Sequence, residues 1–143
     1  MKKTTLLVAL GIIVRKGKVL IGLRNSPERP DEHLFWQVPG GKVEFAEHPE
    51  RAMIREMKEE TGFHVKMISK TPGICNVLWK FPAHQVHVVL LAYPCKIVRG
   101  KLLYGGRENL EWKWINKKDF KKFKFTPGSQ QALAWWFKTF KKN

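Results

Sequence analysis

Residues 5–14 (TLLVALGIIV) form an almost unbroken apolar run rich in β-branched side chains, which predicts a buried strand. Arg15 to Lys18, with Gly17, reads as a turn. A second strand follows over 19–24, so the pair reads as a hairpin. Residues 25–33 carry two prolines and several charges and read as a loop. A short strand over 35–38 is stopped by Pro39-Gly40-Gly41. The period then changes to a helical one over 48–61. Pro49 suits the first helical position, where its missing N–H costs nothing, and Gly62 suits the residue just past the end. Residues 85–93 read as a strongly apolar strand and 111–115 as a short alternating one. A closing helix over 129–142 has Ser129 as its expected cap, with Leu133, Trp136, Phe137 and Phe140 recurring at helical spacing. Interspersed strands and helices with a hairpin predict an α/β fold: a mixed sheet covered by helices.

Composition narrows this to one domain over residues 1–143. Apolar residues make up 43% of the chain, with six Trp and nine Phe, enough to exclude disorder. Met1-Lys2-Lys3 before an apolar run resembles a signal peptide. However, a basic stretch follows where a small-residue cleavage site is needed, and the run is too short to span a membrane. Two cysteines, Cys75 and Cys95, are too few for a disulfide framework and lack metal-ligand spacing. They fit idle thiols in a reducing compartment, so a cytoplasmic protein is expected, as a monomer or homodimer with no membrane partner. The formal net charge of +15 favours polyanions such as nucleotides or nucleic acids, although solvated lysine faces commonly serve only solubility.

The candidate chemistry lies between residues 36 and 63. With Ala52 at zero and about 100° per residue, Glu56, Glu59 and Glu60 fall near 40°, 340° and 80°, within one arc of about 100°. Met53, Ile54 and Met57 occupy a neighbouring face suited to packing on a sheet. Acids at this spacing repel by about 0.2–0.5 kcal/mol per pair. A hard divalent cation reverses that sign. Seen alone, the acids would read as a solvated face. The preceding Pro39-Gly40-Gly41 bend lets backbone approach an ion or phosphate closely. Glu47, eight residues before Arg55, can brace the loop against the helix through an Arg–carboxylate pair.

This spacing resembles the Nudix box: a glycine, five residues, Glu, seven residues, then Arg-Glu-apolar-x-Glu-Glu-x-Gly-apolar. Gly41, Glu47, Arg55, Glu56, Met57, Glu59, Glu60, Gly62 and Phe63 supply it over 23 residues. Phe63, Met57, Ala46 and His48 depart from the common choices, at positions that concern packing and capping. The resemblance implies a Nudix-type α/β/α sandwich and a hydrolase cleaving a nucleoside diphosphate linked to a further group. It implies Mg²⁺, with Mn²⁺ as a substitute, on Glu56, Glu59, Glu60 and the Gly40 carbonyl. Arg55 and Glu47 would hold loop to helix, and Glu47 could lie near a second ion. Glu56 or Glu59 would be the general base. An acid outside the box sometimes serves, and Glu108 and Glu111 are candidates. Arg24 and Lys42 are candidate phosphate contacts.

For the base, Phe35, Trp79, Phe81, Trp112 and Trp114 could stack and Asn76, His84 and His87 could read edges, although most suit a core or surface equally. The small size leans towards a nucleoside triphosphate, giving monophosphate and pyrophosphate. The alternatives are an ADP-ribose or nucleotide-sugar pyrophosphatase, an RNA 5′-end pyrophosphohydrolase, and a catalytically silent Nudix-fold binding module. Three crowded acids argue against the last. A plain nucleic-acid binder is not favoured, since no helix-turn-helix, zinc finger or RNP motif is present.

Overall fold

The computed structural model describes residues 1–104 and 108–140. The elements run β1 (Lys2–Arg15), β2 (Lys18–Arg24), β3 (Trp36–Gln37), β4 (Gly40–Lys42), α1 (Pro49–Thr61), β5 (Phe63–Met67), β6 (Gly73–Lys80), β7 (His84–Gly100), β8 (Asn109–Ile115), a 3₁₀ helix (Lys117–Lys122) and α2 (Pro127–Thr139). The apolar N-terminal run is indeed a strand.

β1 lies at the centre. It runs parallel to β7 from Lys2↔His84 to Ile13↔Cys95 and antiparallel to β4 through Leu10↔Gly40. The expected hairpin exists, but β1 and β2 pair only at Val14↔Val19 and Arg15↔Lys18 before diverging. β2 then pairs with β3 and β8, while β5 and β6 both pair antiparallel with β7. A strand covered on both faces has no polar side, which accounts for the unbroken apolar run of β1. Ala9 and Ile13 point into a core with Met53 and Met57 of α1. Leu10 and Ile12 point into the other, with Leu133, Trp136 and Phe137 of α2. The mixed sheet is therefore sandwiched between helices.

Gly11 sets how closely α1 can approach. A Cβ there would collide with the Met57 side chain, with Cγ only 2.9 Å away. Gly11→Ala is expected to destabilise the fold by about 1–3 kcal/mol through overpacking, read as a lower urea midpoint at unchanged m-value.

Element ends match the capping signals in α1 more closely than in α2. The His48 side chain accepts the Glu50 N–H, and Gly62 sits at φ 86° with its N–H on the Lys58 carbonyl. α2 instead starts at Pro127, with Thr126 at the cap position. Ser129 is inside the helix and buried, and its Oγ accepts the Val38 N–H at 2.8 Å. Its hydroxyl ties α2 to the segment just before the glycine bend, so the expected cap is corrected to a tertiary contact. Lys141 and Lys142, placed in the closing helix from sequence, lie outside the described residues.

Candidate active site

Arg55 organises the site. Its Nε and Nη2 donate to the two oxygens of Glu47 at 2.8 and 3.0 Å, a bidentate pair. Nη2 also reaches the Lys42 carbonyl at 3.1 Å. Nη1 donates to Glu56 at 2.9 Å and Glu59 at 3.2 Å. One guanidinium on α1 thus fixes the loop after β4 and orients two acids of its own helix. The planar five-donor fork makes this feasible where a lysine could not.

The Arg55 hydrogen bonds, helped by the Glu44 N–H, hold the Glu47 carboxyl at about 2, well below its ordinary 4.5. A depressed carboxyl stabilises the fold above the unfolded-state value, and that stability is lost as pH falls through the folded one. The Glu47 contribution should therefore be complete above about pH 4.5 and disappear towards pH 2. Denaturation midpoints of wild type and Glu47→Gln across pH 2–6 check this: the gap between them should close as the pH drops.

Gly41 is needed for close approach, because a Cβ there would run into the Glu56 carboxylate. Gly40 is equally confined, against the Ala9 carbonyl and Leu10 of β1. Glu60, one helical turn on from Glu56, points inwards. Burial, the negative charge of Glu108 and the contact with Glu56 push its carboxyl up to about 9. Among the described residues, no three His, Cys, Asp or Glu side chains already form a metal-binding group. Arg55 holds Glu56 and Glu59, and the Asn109 amide reaches Glu60 at 3.4 Å. The donor set still fits a hard cation: crowded carboxylate oxygens beside a glycine bend, with a partly buried acid whose charged form is disfavoured without a cation.

Glu60 opens onto a cleft of about 680 Å³ that Gly40, Gly41, Lys42 and Glu108 also line. Val77 and Trp79 of β6, Phe81 of the turn after it, and His84 and Val86 of β7 also line the cleft, with His84 stacked on Phe81 at 4.7 Å. Arg24 at the end of β2 and Ser26, Arg29 and Glu32 of the loop after it line it too. A charged end joined to an aromatic wall suits a ligand with an anionic and a planar apolar part.

The NUDIX domain model matches residues 5–136. The chain belongs to the Nudix family. It is 42% identical over 66 residues to an 8-oxo-dGTP diphosphatase of Proteus vulgaris, covering 46% of this chain and 57% of that protein. It is 42% identical over 55 residues to a CTP pyrophosphohydrolase of Escherichia coli, covering 38% of this chain and 39% of that protein. The chain thus spans less than two thirds of the length of these curated relatives. In structure it resembles a MutT Nudix hydrolase from Burkholderia pseudomallei, at a TM-score of 0.68 and 25% identity over 91% of this chain and 96% of that one. The α/β Nudix fold implied by the sequence is the fold observed.

Within this Nudix fold the residues singled out from sequence divide into three groups. Glu47, Arg55, Glu56 and Glu59 form one bonded cluster. Glu60, Gly40, Lys42, Arg24 and Glu108 line the adjoining cleft. Glu111 and Trp112 do not. Glu111 is exposed and paired with Lys113 at 3.4 Å. Trp112 packs on the core beneath α1 and gives its indole N–H to the Leu103 carbonyl at 2.8 Å. Of the aromatic candidates, Trp79 and Phe81 line the cleft, whereas Arg15 covers Trp114 and Lys124 lies over Phe35. His87 meets Asn76 at 3.1 Å on an exposed strand face. Gln37, Glu32, Ser26, Arg29 and Asn109 carry no motif spacing. Their convergence depends on strand pairing that sequence reading does not supply.

Proposed function

We propose that this chain hydrolyses a nucleoside triphosphate to the monophosphate and pyrophosphate in a Mg²⁺-dependent reaction, with Mn²⁺ as a substitute. The observation that carries this reading is the cleft joining the acidic end of α1 to the Trp79–Phe81 wall. Its size falls within the roughly 300–1,000 Å³ typical of small-molecule sites. The named activities of the two curated relatives, on 8-oxo-dGTP and CTP, support a nucleotide substrate.

Glu56, Glu59, Glu60 and the Gly40 carbonyl would hold the ion. When bound, it would neutralise phosphate charge and acidify a water. The chain's own residues do the rest. Arg24 and Lys42 supply positive charge along the cleft for the phosphates. Trp79 and Phe81 offer flat apolar surface to a base. Arg55 and Glu47 keep the acids and the glycine bend in register, as in-line attack requires. Glu56 or Glu59 would accept the proton of the attacking water, with Glu108, exposed on the cleft, as the other acid available.

A panel of nucleoside triphosphates, ADP-ribose, nucleotide sugars, dinucleoside polyphosphates and 5′-triphosphorylated RNA, assayed with Mg²⁺, tests the substrate class. A nucleoside triphosphate should give the highest kcat/KM. A clear preference for ADP-ribose, a nucleotide sugar or RNA would replace that class while leaving the hydrolase reading intact. No turnover of any of them would point to a silent binding module.

A further inference from the structure

Four side chains on four separate segments form a continuous hydrogen-bonded line beside the cleft: Arg24, Gln37 and Glu60 line it, and the fourth, Asn109, is buried. Arg24 Nη1 donates to Gln37 Oε1 at 3.0 Å. Gln37 Nε2 donates to Asn109 Oδ1 at 3.2 Å. Asn109 Nδ2 donates to Glu60 Oε1 at 3.4 Å. The direction of the line is fixed at its Arg24 end, because a guanidinium can only donate. Each amide must therefore turn its oxygen towards Arg24 and its nitrogen towards Glu60. Dipoles aligned head to tail polarise one another, so the line behaves as a unit.

The Arg24 end is anchored in the loop after β2. Its Nε donates to Ser26 Oγ at 2.9 Å, and Nη2 lies 3.3 Å from Glu32, a buried acid. Glu32 also pairs with Arg29 at 3.6 Å, and the Arg29 guanidinium lies over the Trp79 ring at 5.2 Å. The loop is thus bonded through Arg24 to the acid end of the cleft and rests through Arg29 on the aromatic wall. Asn109 has little freedom to move. It is buried, and a Cβ at Gly22 would strike its side-chain oxygen.

We propose that Gln37 and Asn109 are positioning residues that couple the cleft loop, through Arg24, to the Glu60 carboxylate. They orient Glu60 for the ion, and an event at either end is felt at the other. This rests on the metal-site reading given under Proposed function. It differs from a through-space charge effect. Arg24 alone, as a cation, would repel a metal ion, whereas the line it terminates orients a ligand for one.

The test is a Mg²⁺ titration of uniformly ¹⁵N-labelled protein followed by NMR, in wild type, Gln37→Met and Gln37→Glu. Methionine is neutral and close in size, and it removes both bonds. Glutamate still accepts from Arg24 but has no N–H for Asn109. In wild type, Mg²⁺ should shift the backbone resonances of Glu56, Glu59 and Glu60 and also the Arg24 Nε–H. In both variants the α1 shifts should persist, with Mg²⁺ bound about tenfold more weakly, as is usual when an outer-shell partner of a ligand is lost. The Arg24 shift should vanish. Weaker binding in Gln37→Glu would be decisive, because an added negative charge by itself favours a cation.

An Arg24 resonance that stays still in wild type, or moves equally in the variants, overturns the coupling while the α1 shifts uphold the metal site. Unchanged Mg²⁺ affinity in both variants overturns the positioning role. Absence of any Mg²⁺-induced shift overturns the coupling and the metal site together.

Discussion

Glu59→Gln combined with Glu60→Gln is expected to lower kcat by on the order of 10³-fold while leaving the fold intact. Glutamine keeps the shape and one acceptor oxygen but removes the charge that would hold a divalent ion. Metal stabilisation of the reacting phosphate is worth several kcal/mol, and about 4 kcal/mol corresponds to that factor. Stability should hold or rise slightly. Glu59 is exposed, and Glu60 is a partly buried acid whose charged form is already disfavoured by desolvation and by Glu108. Its neutral replacement avoids the cost of protonating that acid on folding. Steady-state kinetics with a thermal melt on the same preparation checks both halves. A variant that loses activity only because it unfolds does not satisfy the prediction.

The second large effect is expected at Arg55. Arg55→Ala removes five hydrogen bonds and leaves Glu47, Glu56 and Glu59 facing one another without a cation. Stability should fall by about 2 kcal/mol, the scale of hydrogen bonds to charged groups at a partly exposed site. Activity should fall by about 10²-fold, since a displacement of about 1 Å at a site built on positioning has that cost. Arg55→Lys should recover little of either. A single ammonium can hold Glu47 or the α1 acids, but not both and the Lys42 carbonyl as well. Chemical denaturation and kcat of the two variants side by side provide the check.

Local chemistry was legible in the sequence wherever it decided the structure. The α1 boundaries follow from His48, Pro49 and Gly62, whose conformational preferences act over a few residues. The packing face of α1 follows from Met53 and Met57, both fully buried. Arg55 and Glu47 were readable as a pair because eight residues of loop and helix suffice to bring them together.

What escaped depends on register between distant segments. The strand period of β6 is blurred in sequence because Ile74 and Leu78 on its outer face are apolar yet exposed. Trp112 suits a base-stacking platform as well as a core contact until the pairing of β8 with β2 fixes its side of the sheet. Gln37 and Asn109 are separated by 72 positions and meet only because β3 and β8 flank β2. Ser129 has the residue type and neighbourhood of a cap. Pro127 nevertheless starts the helix earlier, and the hydroxyl is left to hold Val38.

We propose that the cleft presents a nucleoside triphosphate to the acids of α1 for cleavage between its α and β phosphates. ³¹P NMR of a reaction with Mg²⁺ and the best triphosphate from the panel tests it most directly. Monophosphate and pyrophosphate appearing in equal amounts, and neither appearing when chelator replaces Mg²⁺, is the predicted result. Release of orthophosphate with a nucleoside diphosphate, or equal turnover in chelator, would contradict it.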